Sequence, residues 1–150
     1  MASRSAIETA VGLLARREHS LLEISRKLAQ RGFEQDDIEQ ALEKLQAKNL
    51  LSEERFTESY ITMRRHRGYG PLRIEQELKE RGVDSSIIDA WLDKNDRQWR
   101  RIMSEQYRRK YGDEPAGDYA EKAKRARYLQ NRGFPADWVF RVDSFDDIQD

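Results

Sequence analysis

One six-residue phrase occurs three times along this 150-residue chain: LAQRGF from Leu28 to Phe33, LKERGV from Leu78 to Val83, and LQNRGF from Leu129 to Phe134. In each copy a leucine lies four residues before Gly32, Gly82 or Gly133, an arginine immediately precedes the glycine, and an apolar residue follows it. That order spells the end of an α-helix. Glycine enters the left-handed conformation that stops the helix without a Cβ clash, and the next apolar side chain folds back on the last turn. The same stop recurring after 50 and then 51 residues makes the chain a repeat of a small helical unit, because self-similarity at a fixed period constrains a fold more than any local propensity.

Apolar residues at helical spacing surround each copy and resolve every unit into three helices. In the first unit Ile7, Val11 and Leu14 form one stripe, Leu21, Ile24 and Leu28 a second, and Ile38, Leu42 and Leu45 a third. The second unit has Phe56, Tyr60 and Met63, then Ile74 and Leu78, then Ile87, Ile88, Trp91 and Leu92. The third has Trp99, Met103, Tyr107 and Tyr111, then Ala123, Ala126 and Leu129, then Trp138, Val139 and Val142. Start signals agree: Ser20 with Glu23 and Asp118 with Glu121 have capping-box spacing, Ser52 precedes an acidic pair, and Pro71 suits a first helical turn. No segment alternates apolar and polar residues as a strand would. The expected fold is all-α, an elongated tandem array of three three-helix repeats at 1–50, 51–95 and 96–150. Bundles of about fifty residues are marginal alone, so neighbours should support one another.

Composition narrows the function classes. Charged residues make up 37% of the chain, against roughly 25% in ordinary globular proteins, so much of each helix faces water. The 28 Lys and Arg are balanced by 28 Asp and Glu, which leaves any contact with a polyanion to local patches. There is no cysteine, hence no disulfide framework or thiolate site. The only apolar stretch between Met1 and Arg16 contains Glu8, unlike a signal peptide or a membrane span, so a soluble, intracellular, cytoplasmic protein is expected. His19 and His66 stand far apart with no companion ligand at helical spacing, and read as surface or cap residues. Neither a nucleophile with its base nor a phosphate-cradling glycine loop can be placed. The chain is therefore expected to be no enzyme and to carry no cofactor or metal. Asp143, Asp146, Asp147 and Asp150 lack calcium-loop spacing and read as a solvated acidic C-terminal tail.

Charge is clustered nonetheless. Arg64, Arg65, Arg67 and Arg73 have no acid among them. Arg97, Arg100, Arg101, Arg108, Arg109 and Lys110 are interrupted only by Glu105, and Lys122, Lys124, Arg125, Arg127 and Arg132 follow Glu121 without a further acid. Any one of these is ordinarily a wet helix face; three such runs in one short chain favour a phosphate-bearing or acidic partner, which arginine grips in planar, bidentate fashion. Between the central arginines, Gly68-Tyr69-Gly70-Pro71 links two helices tightly, with Tyr69 either packed into the junction or offered to a partner or a base.

The segment LLSEERFTESYITMRRHRGYGPLRIEQELKERGV is similar to the central repeat of the RecX family: Leu51, Arg55, Phe56, Tyr60, Gly68 to Pro71, Arg73, Ile74, Leu78 and Gly82 fall where that motif places them. RRKYGDEP and KAKRARYLQNRGF extend the resemblance through the third unit and ARREHSLLEISRKLAQRGF through the first; Ser52, Glu53 and Glu54 replace the more usual paired aspartates. The resemblance implies tandem three-helix units and a modulator, mostly an inhibitor, of the RecA recombinase filament on single-stranded DNA, acting by blocking extension or favouring disassembly. RecA is the implied partner, with weak non-specific DNA binding, no membrane contact and a monomeric chain. On this reading Arg64, Arg65, Arg67 and Arg73 with Tyr69 form the principal contact, and Arg108, Arg109, Lys110, Lys122, Lys124, Arg125 and Arg127 a second. The rival readings are a helix-turn-helix DNA-binding protein, suggested by HSLLEISRKLAQRGF, and a helical adaptor without DNA contact.

Overall fold

The computed structural model describes residues 4–139, and among them it is all helical. The order is α1 (Ala6–Leu14), α2 (Leu21–Gln30), α3 (Gln35–Ala47), α4 (Glu53–His66), α5 (Pro71–Glu80), α6 (Ser85–Trp91), α7 (Gln98–Tyr111), α8 (Tyr119–Asn131) and α9 (Ala136–Val139). The helix stops are built as the repeated phrase requires. Gly32, Gly82 and Gly133 have φ of 89°, 79° and 104°. The amide of the following residue reaches back five positions, Phe33 to the Leu28 carbonyl at 3.2 Å, Val83 to Leu78 at 3.1 Å and Phe134 to Leu129 at 3.2 Å, which is the Schellman pattern. The starts hold too. Ser20 and Glu23 exchange both bonds of a capping box, Asp118 accepts from the Glu121 amide, Ser52 accepts from the Arg55 amide, and Pro71 opens α5.

By packing density the chain divides into two compact units, Met1–Tyr60 with Leu78–Trp91 and Ile61–Glu77 with Leu92–Asp150, the dividing lines falling inside α4 and α5. In the first unit α1 and α2 both pack on α3, around Ala10, Ile24, Leu28, Ile38 and Leu45, all at most 1% exposed. The face α1 turns inward is not the expected Ile7, Val11 and Leu14 stripe. Ala6, Ala10 and Leu13 are buried, Ile7 and Leu14 pack at the margin, and Val11 is exposed. Two alanines let the helix approach closely, and close packing rewards that fit over bulk. Met63 and Trp91 are likewise exposed rather than core. His19 is 1% exposed, not a surface residue, and Glu53, at the start of α4, is buried with its Oε1 accepting from the Leu21 amide at 2.9 Å. Burial pushes the Glu53 carboxyl above its usual range, opposed by that bond.

In the second unit Met103, Tyr107, Ala126, Leu129, Phe134 and Val139 form the core. Here the Gly68–Pro71 link lies directly on the helix stop at 132–133: the Gly70 amide donates to the Arg132 carbonyl at 2.7 Å, and the Leu72 amide to the Gly133 carbonyl at 3.0 Å. A Cβ on Gly70 would lie 2.5 Å from the Gly133 carbonyl, so the contact is backbone against backbone. Val142 and the acidic tail Asp143, Asp146, Asp147 and Asp150 lie outside the described residues.

Candidate functional site

Two of the four arginines of the central run, Arg64 and Arg73, converge on one aromatic ring. The end of α4 places Arg64, the link places Tyr69, and the first turn of α5 places Arg73. The Arg64 guanidinium lies 3.8 Å from the Tyr69 ring centroid, that of Arg73 at 4.5 Å, and a third, from Arg132 at the stop of α8, at 4.4 Å. Cation–π contacts of this kind are worth about 0.5–1 kcal/mol each when exposed and more when dry.

Like charges this close need further neutralisation, and the surrounding groups supply it. Glu77, one turn along α5 from Arg73, accepts from Arg64 Nε and Nη2 at 2.9 and 2.8 Å and from Arg73 Nε at 3.5 Å. The Arg64–Glu77 side chains are only 12% and 16% exposed, so removing either partner costs about 3 kcal/mol by stranding the other. Arg73 Nη1 donates to the Asn131 carbonyl at 3.0 Å. Arg132 spans the link, Nε to the Gly68 carbonyl at 3.1 Å and Nη2 to the Arg67 carbonyl at 2.7 Å. Tyr69 is half-buried, and its ring is occupied by the protein's own guanidinium groups, not left open for a base.

The remaining expected residues divide. Arg67 is exposed and makes no side-chain ion pair among the described residues. Arg65 is half-buried, its guanidinium 5.9 Å from the Trp99 ring. Arg108, Arg109 and Lys110 are exposed in the last turn of α7, where cations complement the helix dipole; Lys110 Nζ lies 4.8 Å from the Tyr128 ring. Lys122, Lys124 and Arg127 are exposed on α8. Arg125 departs from expectation. It is 7% exposed and donates to Tyr107 Oη at 2.9 Å, the Glu114 carbonyl at 2.8 Å and Glu121 at 3.0 Å. Its guanidinium is consumed inside the fold and is not a surface contact. Arg132, conversely, belongs to the cluster although it was not among the expected contact residues; the signal lay in the repeated phrase, whose arginine precedes each stop glycine.

Charge is distributed unevenly between the compact units. The described part of the second unit, 61–77 and 92–139, carries sixteen Lys and Arg against ten Asp and Glu, whereas 4–60 with 78–91 carry eleven against fourteen. Among the described residues there is no grouping of three His, Cys, Asp or Glu suited to a metal, and no helix long and apolar enough to cross a membrane.

Three family models match in succession: the first three-helix domain of RecX over residues 6–45, the second over 52–92 and the third over 97–142. This chain belongs to the RecX family. It is similar to the regulatory protein RecX of Pseudomonas fluorescens, 43% identical over 142 residues that cover 95% of this chain and 92% of that one. It is also similar to that of Pseudomonas syringae pv. tomato, 41% identical over 134 residues, covering 89% and 86%. In fold it matches the crystal structure of RecX from Lactobacillus salivarius with a TM-score of 0.76 at 21% identity, covering 95% of both chains. A second crystal structure, of a regulatory protein RecX, matches with a TM-score of 0.78 at 22% identity, covering 93% of this chain and 70% of that one. The RecX relatives are named as regulatory proteins, and a regulatory role is what this RecX member shares with them. Within the RecX domains, Arg64, Tyr69, Arg73 and Glu77 come from the second and Arg132 from the third.

Proposed function

We propose that this protein binds RecA on single-stranded DNA and restrains the filament, by blocking its extension or favouring its disassembly. The observation that carries the reading is the convergence of Arg64, Arg73 and Arg132 on Tyr69, with Arg67 exposed beside them, in the compact unit that holds the excess of positive charge. A fixed group of guanidiniums suits carboxylates on a protein surface and phosphates alike, both of which a nucleoprotein filament presents. The exposed cations at the end of α7 and on α8, without Arg125, form a second surface. The reading needs no bond-making step: a regulator that occupies a filament needs only affinity, and weak contacts repeated along the polymer multiply.

The test is to titrate the protein into RecA filaments on single-stranded DNA while following ATP hydrolysis. Inhibition is expected, and the double variant Arg67→Glu/Arg73→Glu should need about tenfold more protein for half-inhibition, equivalent to about 1.4 kcal/mol. Unchanged inhibition by the folded double variant would remove this surface from the contact, and no effect of the native protein on RecA would remove the function.

A further inference from the structure

We infer that Tyr69 is a positioning residue: its ring face, and not its hydroxyl, gathers Arg64, Arg73 and Arg132 into one cationic surface, and Arg132 is thereby part of the partner contact. The choice of partner rests on the RecA reading; the gathering does not.

Geometry argues for the ring. Three guanidinium carbons lie within 4.5 Å of one centroid, so no two of them stand further apart than about 9 Å. Unsupported arginines at such spacing repel and, being rich in rotamers, spread into solvent. The π-face counters this by attracting each of them at once, and Glu77 and the carbonyls of Arg67, Gly68 and Asn131 fix their edges. The Tyr69 hydroxyl has no hydrogen-bond partner among the described residues, so it adds nothing to this arrangement. The ring itself is held by the backbone: the Tyr69 amide donates to the Arg64 carbonyl at 3.1 Å, and Gly70 is bonded to Arg132.

Not every donor is used. Arg73 Nη2 and Arg132 Nη1 have no partner among the described residues. They are pre-oriented by groups that cost the partner nothing to arrange, and binding to pre-organised arginines loses less side-chain entropy than binding to mobile ones. Arg132 reaches this position because the stop of α8 repeats the phrase that places Arg81 4.7 Å from the Tyr60 ring in the first compact unit. An arginine ahead of a stop glycine lies over a tyrosine in both places, and at Tyr69 two further guanidiniums join it.

The experiment uses the full chain, isotope-labelled, as native protein and as Tyr69→Phe, Tyr69→Leu and Arg132→Lys, each checked for helicity. In the native protein and Tyr69→Phe, ring currents should move the side-chain proton resonances of Arg64, Arg73 and Arg132 upfield; in Tyr69→Leu that shift should vanish. Affinity for RecA filaments on single-stranded DNA should stay within about twofold in Tyr69→Phe and fall about five- to tenfold in Tyr69→Leu. Arg132→Lys keeps the charge and the tyrosine, yet should weaken binding about threefold, since an ammonium neither lies flat on a ring nor spans two carbonyls. Absent ring-current shifts in the native protein would overturn the gathering. So would Tyr69→Phe behaving as Tyr69→Leu, which would return the role to the hydroxyl. Undiminished filament binding by Tyr69→Leu or by Arg132→Lys would overturn the link to the partner. A native protein with the shifts but no filament binding would sink the RecA reading and leave the positioning intact.

Discussion

Arg125 and Arg127 stand two positions apart on α8 and take opposite roles. The run of cations from Lys122 is plain in the sequence, but which member turns inward is decided by the Tyr107 hydroxyl and the Glu114 carbonyl, groups more than ten residues away that no local pattern reveals. Arg125→Ala should therefore lower the thermal midpoint, seen by circular dichroism, while leaving filament affinity of the folded protein unchanged, and Lys124→Ala/Arg127→Ala should do the reverse. His19 escaped the sequence for the same reason. Its Nδ1 lies 3.0 Å from the Arg17 carbonyl, which can only accept, so Nδ1 carries the proton and Nε2 accepts from the Lys27 ammonium at 2.9 Å. Desolvation by burial lowers the His19 pKa from 6.5; the positive charges of Arg17 and Lys27 act the same way, against the Arg17 carbonyl bond and Glu23. The unfolded chain thus takes up this proton first, so the contribution of His19 is complete above pH 6.5 and is lost as pH falls from there through the folded value. Glu53, raised from 4.5, favours the folded state at low pH and does so less as pH rises through its own range. Urea midpoints of the native protein and His19→Gln, compared at about pH 7.5 and pH 5.5, isolate the histidine. The native midpoint should fall more steeply on acidification, and parallel pH profiles would mean that His19 takes up its proton equally readily in the folded and the unfolded chain, so that burial does not shift it.

The helix stops show what the repeated phrase could and could not tell. All three copies adopt the same backbone, and that much was legible because glycine, leucine and the trailing apolar residue each have a local reason to be there. Their surroundings differ. A Cβ on Gly32 meets nothing within 4 Å, whereas on Gly133 it would lie 2.4 Å from Arg73 Cβ and 2.6 Å from the Arg73 amide nitrogen. Gly32→Ala should cost only the left-handed penalty, about 1–2 kcal/mol, while Gly133→Ala adds a backbone collision and should cost about 3 kcal/mol or more. Urea melts of the two variants check the difference, and equal costs would mean that the Gly70–Gly133 contact yields easily. The inward face of α1 departs from the expected Ile7, Val11 and Leu14 stripe for a related reason. Periodicity finds the bulky residues, but Ala6 and Ala10 are chosen by how near α3 can approach, which is a property of the partner helix. The Tyr69 cluster lay between these cases, since its arginines were visible as a run, while their meeting with Arg132 needed two backbone bonds between positions some sixty residues apart.

A net charge of zero from 28 cations and 28 acids would suggest a chain indifferent to polyanions, yet the sixteen-to-ten balance in the described part of the second compact unit opposes the eleven-to-fourteen of the first. Net charge governs long-range attraction, but at physiological salt the screening length is about 8 Å, so a ligand near the arginine cluster feels the cluster and not the whole. Direct DNA binding by this protein should consequently be weak, indifferent to sequence and strongly dependent on salt. If Arg67, Arg73 and two or three of the exposed cations of α7 and α8 meet phosphates, the logarithm of the binding constant for a single-stranded oligonucleotide should fall against the logarithm of salt concentration with a slope of about −2.8 to −3.5. Oligonucleotides of scrambled sequence should bind within about twofold of one another, because phosphate contacts carry no base information. The first compact unit, where the helix-turn-helix resemblance of α2 lies, should contribute little, its described residues being net acidic. Fluorescence anisotropy across a salt series, with permuted single strands and duplexes, measures both quantities. A single duplex held about a thousandfold more tightly than its permutations would mark a sequence reader, and the arginine surface would then have to be assigned to DNA rather than to the filament.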